Sequence, residues 1–377
     1  MKKLGYRLFA IIYYICCIFP RKKNKVFCIM THDASKGSNV GVIVQELRQK
    51  GEYQFHYLKK EERDEVTKQK KFLSIFDLFV CKPFHMATSS YILQDNIFLP
   101  MAFLKFPKSV KVVQLWHGTG TIKKFGQSVN EGDLGQLEKA ADETITHLIV
   151  NGPPTRKIYK EAFGVENRQI YELGLPRTDV LFSEEQCESL REEFYRKYPN
   201  LKEKRFVLYA PTFRDDEVND PKLPFDVMSL LRNLPEDMCI GLKLHPFVAR
   251  SFHGLDLPKE YKDRIFDVSF EQDTNQLLIV SDVLITDYSS IIFEYCILRK
   301  PMLFYAYDYS EFKEHQRGFY EDYQSFVPGD IVSTQEELVA KLRKDSYDLS
   351  RIDEFIGREY RYTDGRAAKR IVKEIFG

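Results

Sequence analysis

His117 and His245 each close an apolar, β-rich run, the first in VVQLWHGTG and the second in GLKLHP. Imidazole titrates near neutral pH, so at a strand end it can take a proton from a hydroxyl. Gly118 and Gly120 let the backbone approach a ligand closely, and Lys123 and Lys124 add positive charge to the same loop. A histidine that merely ends its strand is the alternative, and the local sequence leaves both open. In the second run, strand alternation points Lys243 and His245 to one side, and Pro246 ends the strand. A cation and an imidazole paired there suit an anionic leaving group.

Two further segments carry groups for an anion. Arg214 follows the run that ends in YAPTFRD, where a guanidinium fork could clamp a phosphate; a plain pairing with Asp215 or Asp216 is the other possibility. In SDVLITDYSSIIFE a strand gives way to a polar turn and a helix start. Ser289 or Ser290 is the expected N-cap, and first-turn amides with the helix dipole form a site suited to a diphosphate. Glu294 lies one turn into that helix, where its carboxylate could accept bonds from ribose hydroxyls. No Walker loop, GxGxxG after a strand, HExxH or GxSxG is present. Asp287 belongs to no spaced pair of acids, so no metal and no cofactor is expected, and Arg, Lys, His and amides must meet the diphosphate's charge.

The elements that position these groups follow from periodicity. Apolar runs at 25–30, 53–57, 88–93, 111–115, 147–150, 205–209, 238–244, 283–286 and 302–305 predict strands. Helical patterns occupy 40–49, 154–163, 273–281, 290–298, 334–343 and 367–376. Such alternation predicts an α/β protein with parallel sheets, ligands lying at the carboxyl ends of the strands. At 377 residues the chain exceeds one ordinary core, and the charged stretch 183–204 is the expected connection. The expected division is therefore a segment at 1–22, an α/β domain at 23–182, and a second α/β domain at 183–377, whose terminal helix can pack back on the first. Net charge is +1, from 56 basic and 55 acidic residues, which excludes a general nucleic-acid binder. Seven scattered cysteines without metal-ligand spacing fit a reducing, cytoplasmic compartment.

The first residues, MKKLGYRLFAIIYYICCIFPRKKNKVF, hold an apolar stretch flanked by basic ones. No small-residue cleavage site follows, the run is shorter than the ~20 residues of a spanning helix, and it carries Arg7. A helix lying in the membrane interface, its cations on anionic headgroups, is the expectation; a first helix packed on the protein itself is the alternative.

Taken together, QLWHGTGTIKKFG, GLPRTD, YAPTFRDD, LKLHP, SDVLITDYSSIIFEY, KPMLFYAYD and YTDGRAAKR resemble the CDP-glycerol glycerophosphotransferase family of teichoic acid synthesis. The resemblance spans about residues 110 to 370. It implies two Rossmann-like domains facing a cleft, a GT-B-like fold, and transfer of glycerol phosphate from CDP-glycerol to a lipid-linked undecaprenyl-diphosphate disaccharide, with CMP leaving. By position, His117 is the expected base on the acceptor hydroxyl, and His245 binds the transferring phosphoryl group or assists the leaving phosphate. Arg214, Lys243, Ser289 and Ser290 are expected on the diphosphate and Glu294 on the ribose, while Gly118, Arg177, Asp179 and Asp287 shape the cleft. The expected place is peripheral, on the cytoplasmic face of the cell membrane. Polymerising members are typically longer, so a priming enzyme is expected. CDP-ribitol or another polyol donor, a GT-B glycosyltransferase, and a non-catalytic scaffold that binds nucleotide or lipid carrier are the competing readings. Residues 118–143 are expected to form a mobile lid over the acceptor.

Overall fold

The computed structural model describes residues 2–59, 75–214, 221–252, 254, 257–271, 273–315 and 318–377. Its chain divides into two compact units. One comprises Met1–Thr119, Phe125–Asp179 and Glu359–Gly377, the other Gly120–Lys124 and Val180–Arg358.

The first unit is a six-stranded sheet in the order β2-β1-β3-β4-β5-β6, parallel throughout. Its strands are β1 (Lys22–Met30), β2 (Gln54–Lys59), β3 (Ser89–Gln94), β4 (Lys111–Gln114), β5 (His147–Val150) and β6 (Ile170–Glu172). The continuous apolar run of β1 reflects burial on both faces, the mark of a parallel sheet covered twice. Val26, Cys28 and Met30 pack with helix α2 (Asn39–Gln49) and the helix Ala367–Phe376. Phe27 and Ile29 point the other way, onto Phe9, Ala10 and Tyr13 of helix α1 (Lys2–Cys16).

Helix α1 therefore packs on the protein along one stripe, which the sequence had set against interfacial exposure. Its other side remains apolar and exposed: Leu4 is 73% exposed, Ile11 57% and Ile15 59%. Packing on the protein thus holds for one face of the helix, while the opposite face is apolar and exposed. Among the described residues no helix is long and apolar enough to cross a membrane.

The second unit repeats the architecture in the order β12-β11-β10-β7-β8-β9, again all parallel. Its strands are β7 (Arg205–Tyr209), β8 (Met238–Leu242), β9 (Ile265–Asp267), β10 (Val283–Thr286), β11 (Met302–Tyr305) and β12 (Asp330–Val332). Each sheet reverses its direction of growth once, between β1 and β3 in the first and between β7 and β10 in the second. Loops diverge at such a point and open a crevice at the strands' carboxyl ends.

Several sequence expectations change. Strands β6, β9 and β12 have three residues each and no periodicity to announce them. Residues 183–204, expected as a connection, contain a helix from Glu184 to Lys197 with Ser183 as its cap. The stretch 118–143, expected as a lid, carries a 3-10 turn at Gly126–Ser128 and a helix at Gly132–Asp142 that buries Ala141 and Asp142.

Candidate active site

In the first unit, strands β1, β3 and β4 end side by side, and the loops they release converge. Asp95 follows β3 and is 1% exposed. Its Oδ1 accepts the backbone N–H of Thr31 at 3.0 Å and of His32 at 3.3 Å, and its Oδ2 that of Asp33 at 3.0 Å. Burial raises its carboxyl to about 6 although these three amides pull the other way. The backbone carbonyl of the same residue lies 3.1 Å from His117 Nδ1. A carbonyl can only accept, so Nδ1 carries the proton and Nε2 keeps its lone pair. Burial, the neighbouring His32 ring and Arg177 push His117 down to about 3, outweighing the bond to Asp95. The imidazole is therefore neutral at physiological pH, in the tautomer a base requires.

The loop that carries His117 is tied at each carbonyl in turn. Asn39 Nδ2 donates to Leu115 O at 3.3 Å and Trp116 O at 3.0 Å. Arg177 Nη1 donates to His117 O at 2.9 Å, Tyr159 Oη to Gly118 O at 2.9 Å, and Asn151 Nδ2 to Thr119 O at 3.0 Å. Trp116 has φ 53°, a left-handed conformation costing a residue with a Cβ about 1–3 kcal/mol. Its ring is held against Phe125 at 5.1 Å and edge-on to Phe163 at 5.1 Å, which offsets that strain. A loop restrained in this way presents its histidine in one orientation, as catalytic preorganisation requires.

Arg177 thus shapes the His117 loop directly. Asp179 is the last residue of the first unit before the chain enters the second, and its carboxylate accepts Ala367 N at 2.8 Å and Ala368 N at 2.9 Å, starting the helix Ala367–Phe376. It joins the GLPRTD and TDGRAAKR segments. Lys123 and Lys124, adjacent to His117 in sequence, belong to the second unit, where Lys124 N donates to Gly318 O at 3.0 Å.

In the second unit Arg214 is buried and all three of its guanidinium nitrogens donate within the protein. Nε reaches Asp308 Oδ2 at 2.7 Å, Nη2 reaches Asp287 Oδ2 at 3.0 Å and Nη1 reaches Thr212 O at 2.9 Å. Burial alone would weaken its hold on the proton, yet Asp308 and Asp287 raise its pKa further. Asp287 Oδ1 also accepts Thr212 N at 2.7 Å and Tyr288 N at 2.6 Å, while Tyr288 Oη donates to Asp308 at 3.0 Å. These bonds brace the turn that leads to Ser289 and Ser290. Asp215 and Asp216 lie outside the described residues.

Lys243 likewise bonds within the protein. Its Nζ donates to Ser269 O at 2.9 Å and Glu271 O at 2.8 Å, tying the loop after β9, and burial lowers its pKa. His245 is exposed. Its Nδ1 accepts from Phe247 N at 3.3 Å, which leaves the proton of the neutral ring on Nε2. Its ring lies 4.7 Å from that of Phe213. Ser290 takes the N-cap position of the helix Ile291–Ile297 without a side-chain cap bond, and Ser289 Oγ accepts Ile291 N at 3.4 Å. Both serines are half-buried, while Glu294 is buried within that helix. Among the described residues no group of three or more His, Cys, Asp or Glu is arranged to hold a metal.

His32, Asp95 and Asn39 carry no motif of their own, and Asp308 closes the KPMLFYAYD segment. His32, Asp95 and Asp308 lie just beyond strand ends, whereas Asn39 opens α2.

A family model described as CDP-glycerol:poly(glycerophosphate) glycerophosphotransferase matches residues 11–377. The chain is 33% identical to the teichoic acid poly(ribitol-phosphate) polymerase of Bacillus spizizenii, over 100% of this chain and 60% of that protein. It thus spans less than two thirds of that relative's length. It is 29% identical to the teichoic acid glycerol-phosphate primase of Bacillus subtilis, over 98% of this chain and 96% of that one. The solved structure of the wall teichoic acid polymerase TagF shares the fold, with a TM-score of 0.82 at 23% identity, covering 100% of this chain and 95% of that one.

Proposed function

The chain belongs to the CDP-glycerol:poly(glycerophosphate) glycerophosphotransferase family, and from that premise we propose that it transfers glycerol phosphate from CDP-glycerol to a lipid-linked undecaprenyl-diphosphate disaccharide. The acceptor hydroxyl oxygen forms a bond to the glycerol-bearing β-phosphorus. The bond from that phosphorus to the bridging oxygen breaks, and CMP leaves with the bridging oxygen. The hydroxyl proton passes to His117 Nε2.

The observation that carries the proposal is the fixed tautomer of His117, whose Nδ1 is bound to Asp95 O at 3.1 Å. His245 supports it by offering a complementary role. With Nδ1 accepting from Phe247 N, its Nε2–H is a donor suited to an oxygen of the transferring phosphoryl group. Phosphoryl transfer rests on positioning and charge stabilisation more than on covalent chemistry, which suits one imidazole as base and one as donor. Ser289 and Ser290 are proposed on the diphosphate and Glu294 on the ribose, with Arg214, Lys243 and Asp287 bracing the loops that present them.

A second reading replaces glycerol by ribitol. It is favoured by the 33% identity to a ribitol-phosphate polymerase against 29% to a glycerol-phosphate primase. Peripheral attachment to the cytoplasmic face of the membrane is proposed through the exposed face of α1, where Leu4, Leu8, Ile11 and Ile15 recur at helical spacing. The test is CMP release from CDP-glycerol and from CDP-ribitol, each with and without the lipid-linked disaccharide, beside His117→Ala. Acceptor-dependent release from CDP-glycerol, lost in the variant, is the expected result. Turnover with CDP-ribitol alone would shift the donor, and silence with both would remove the proposal.

A further inference from the structure

The His32 ring lies face to face with that of His117, centroids 3.7 Å apart and planes inclined by 14°. Nothing in the motifs around His117 requires this partner, which enters from the loop after β1, in a different part of the sequence. The contact answers a mechanical need. One hydrogen bond, from Nδ1 to the Asp95 carbonyl at 3.1 Å, fixes one atom of the imidazole but not the tilt of its plane. A flat surface against the whole ring removes that remaining freedom, and the direction of the Nε2 lone pair is then determined.

A single residue ties the two parts together. The Asp95 carbonyl accepts the hydrogen bond from His117 Nδ1–H, while its carboxylate holds the backbone of Thr31, His32 and Asp33. The loop that bears His32 is therefore anchored to the same point as the ring it covers. The contact also affects charge. Two stacked imidazolium ions would repel at this separation, so the pair resists holding two protons, and His32 lowers the pKa of His117. Asp33, Asp95 and Arg177 are the other charged groups acting at this cluster.

We propose that His32 is a positioning residue for the transfer reaction, holding the plane of the His117 imidazole by stacking so that Nε2 meets the acceptor hydroxyl. This rests on the reading of His117 as the base. The role requires an aromatic plane, not a second titrating group, and that distinguishes it from direct contact with substrate. It differs from general structural support in acting on turnover while leaving donor binding unchanged.

The experiment compares His32→Ala and His32→Phe in the full chain, reading kcat, KM for the CDP-polyol, the unfolding temperature, and the His117 tautomer by NMR of ring-labelled histidine. His32→Ala is expected to lower kcat about 10- to 100-fold, the range attached to misplaced catalytic groups, with KM changed less than about twofold. The His117 ring signals should move from the pure Nδ1–H form to a mixture of tautomers. His32→Phe keeps the plane and should recover kcat to within about threefold and restore the single tautomer. Unchanged kcat and tautomer in His32→Ala would overturn the proposal, as would a His32→Phe enzyme no better than His32→Ala at an unaltered unfolding temperature. If His117→Ala retains full turnover, the base assignment fails instead, and the NMR comparison still decides whether His32 orients His117.

Discussion

Arg214 and Asp287 stand 73 positions apart in sequence, yet their side chains meet at 3.0 Å across the strand reversal of the second sheet. Each comes from the end of a different strand, β7 and β10, so the pair ties together the loops that diverge there. Both groups are buried. Removing one member leaves an uncompensated charge in a poor dielectric, typically a loss of about 3–5 kcal/mol. Arg214→Met should accordingly lower the denaturant midpoint of the chain by an amount in that range. Arg214→Lys should recover little of it, since an ammonium cannot serve Thr212 O, Asp287 and Asp308 in one planar fork. Unaltered stability with a sharply raised KM for the CDP-polyol would return Arg214 to a direct phosphate contact.

The depressed pKa of His117 sets the pH response of turnover. A base must be unprotonated, and with its pKa near 3 His117 meets that condition throughout the usual working range. The acid limb of kcat/KM should lie well below the ~6.5 of an ordinary histidine, leaving the profile flat between about pH 8 and pH 5 as far as this group is concerned. Stability has its own pH term. The unfolded chain takes up a proton at His117 near pH 6.5 and the folded chain does not until near pH 3, so this group's contribution to stability falls as pH drops through that window. The profile must therefore be recorded alongside unfolding temperature. An acid limb at pH 6.5 with the fold intact, moved or lost in His117→Ala, would show that His117 titrates as an ordinary histidine and is not depressed by its surroundings.

Asp95→Asn separates the two tasks of that residue. The backbone carbonyl that receives His117 Nδ1 is unaffected, but an amide offers one acceptor oxygen where the carboxylate offers two. Three N–H groups from Thr31, His32 and Asp33 then compete for it, and the new NH2 faces donors. A buried donor left unsatisfied costs about 1–3 kcal/mol. The expected outcome is a lower unfolding temperature and a reduced kcat, while the pH profile keeps its shape because His117 retains its tautomer. Turnover equal to that of the unaltered chain would show that the 31–33 loop does not need this anchor.

Much of this arrangement was legible in the chain. Strands β4, β8 and β10 are short apolar runs followed within two residues by WHG, HP and DYSS, so their loops could be placed at strand ends from the sequence. The pairing of Arg214 with Asp287 and Asp308 could not, because all three look like surface charges until the sheet order brings β7, β10 and β11 together. The bonds of Lys243 were hidden for the same reason. Alternation gave its side, but the carbonyls of Ser269 and Glu271 that accept from its ammonium lie in the loop after β9, a three-residue edge strand with no periodic signal. Asp95 and His32 are the most instructive cases. Their work is done by a backbone carbonyl and a ring face, neither of which has a residue-type signature in sequence.

Helix α1 offers a test in which its two faces predict opposite outcomes. Phe9 and Tyr13 are buried in the first unit's core, whereas Leu8 and Ile15 on the other side are 45% and 59% exposed. Removing a large core side chain costs about 3–5 kcal/mol, so Phe9→Ala should lower the unfolding temperature and affect membrane binding only through the loss of folded protein. Leu8→Glu with Ile15→Glu should leave the unfolding temperature nearly unchanged, because neither side chain supports the fold. Burying such side chains in lipid is worth roughly 1.5–3 kcal/mol each, so this pair should weaken binding to anionic vesicles by about 100-fold or more. Arg7, Lys22 and Lys23 are also exposed, and basic groups near an anionic surface contribute about 1 kcal/mol apiece. Binding should then fall further as salt rises, with the apolar part persisting. Sedimentation with phosphatidylglycerol vesicles at two ionic strengths reads both terms. If the doubly substituted chain still sediments like the unaltered one, α1 is only a cover for the sheet and attachment lies elsewhere.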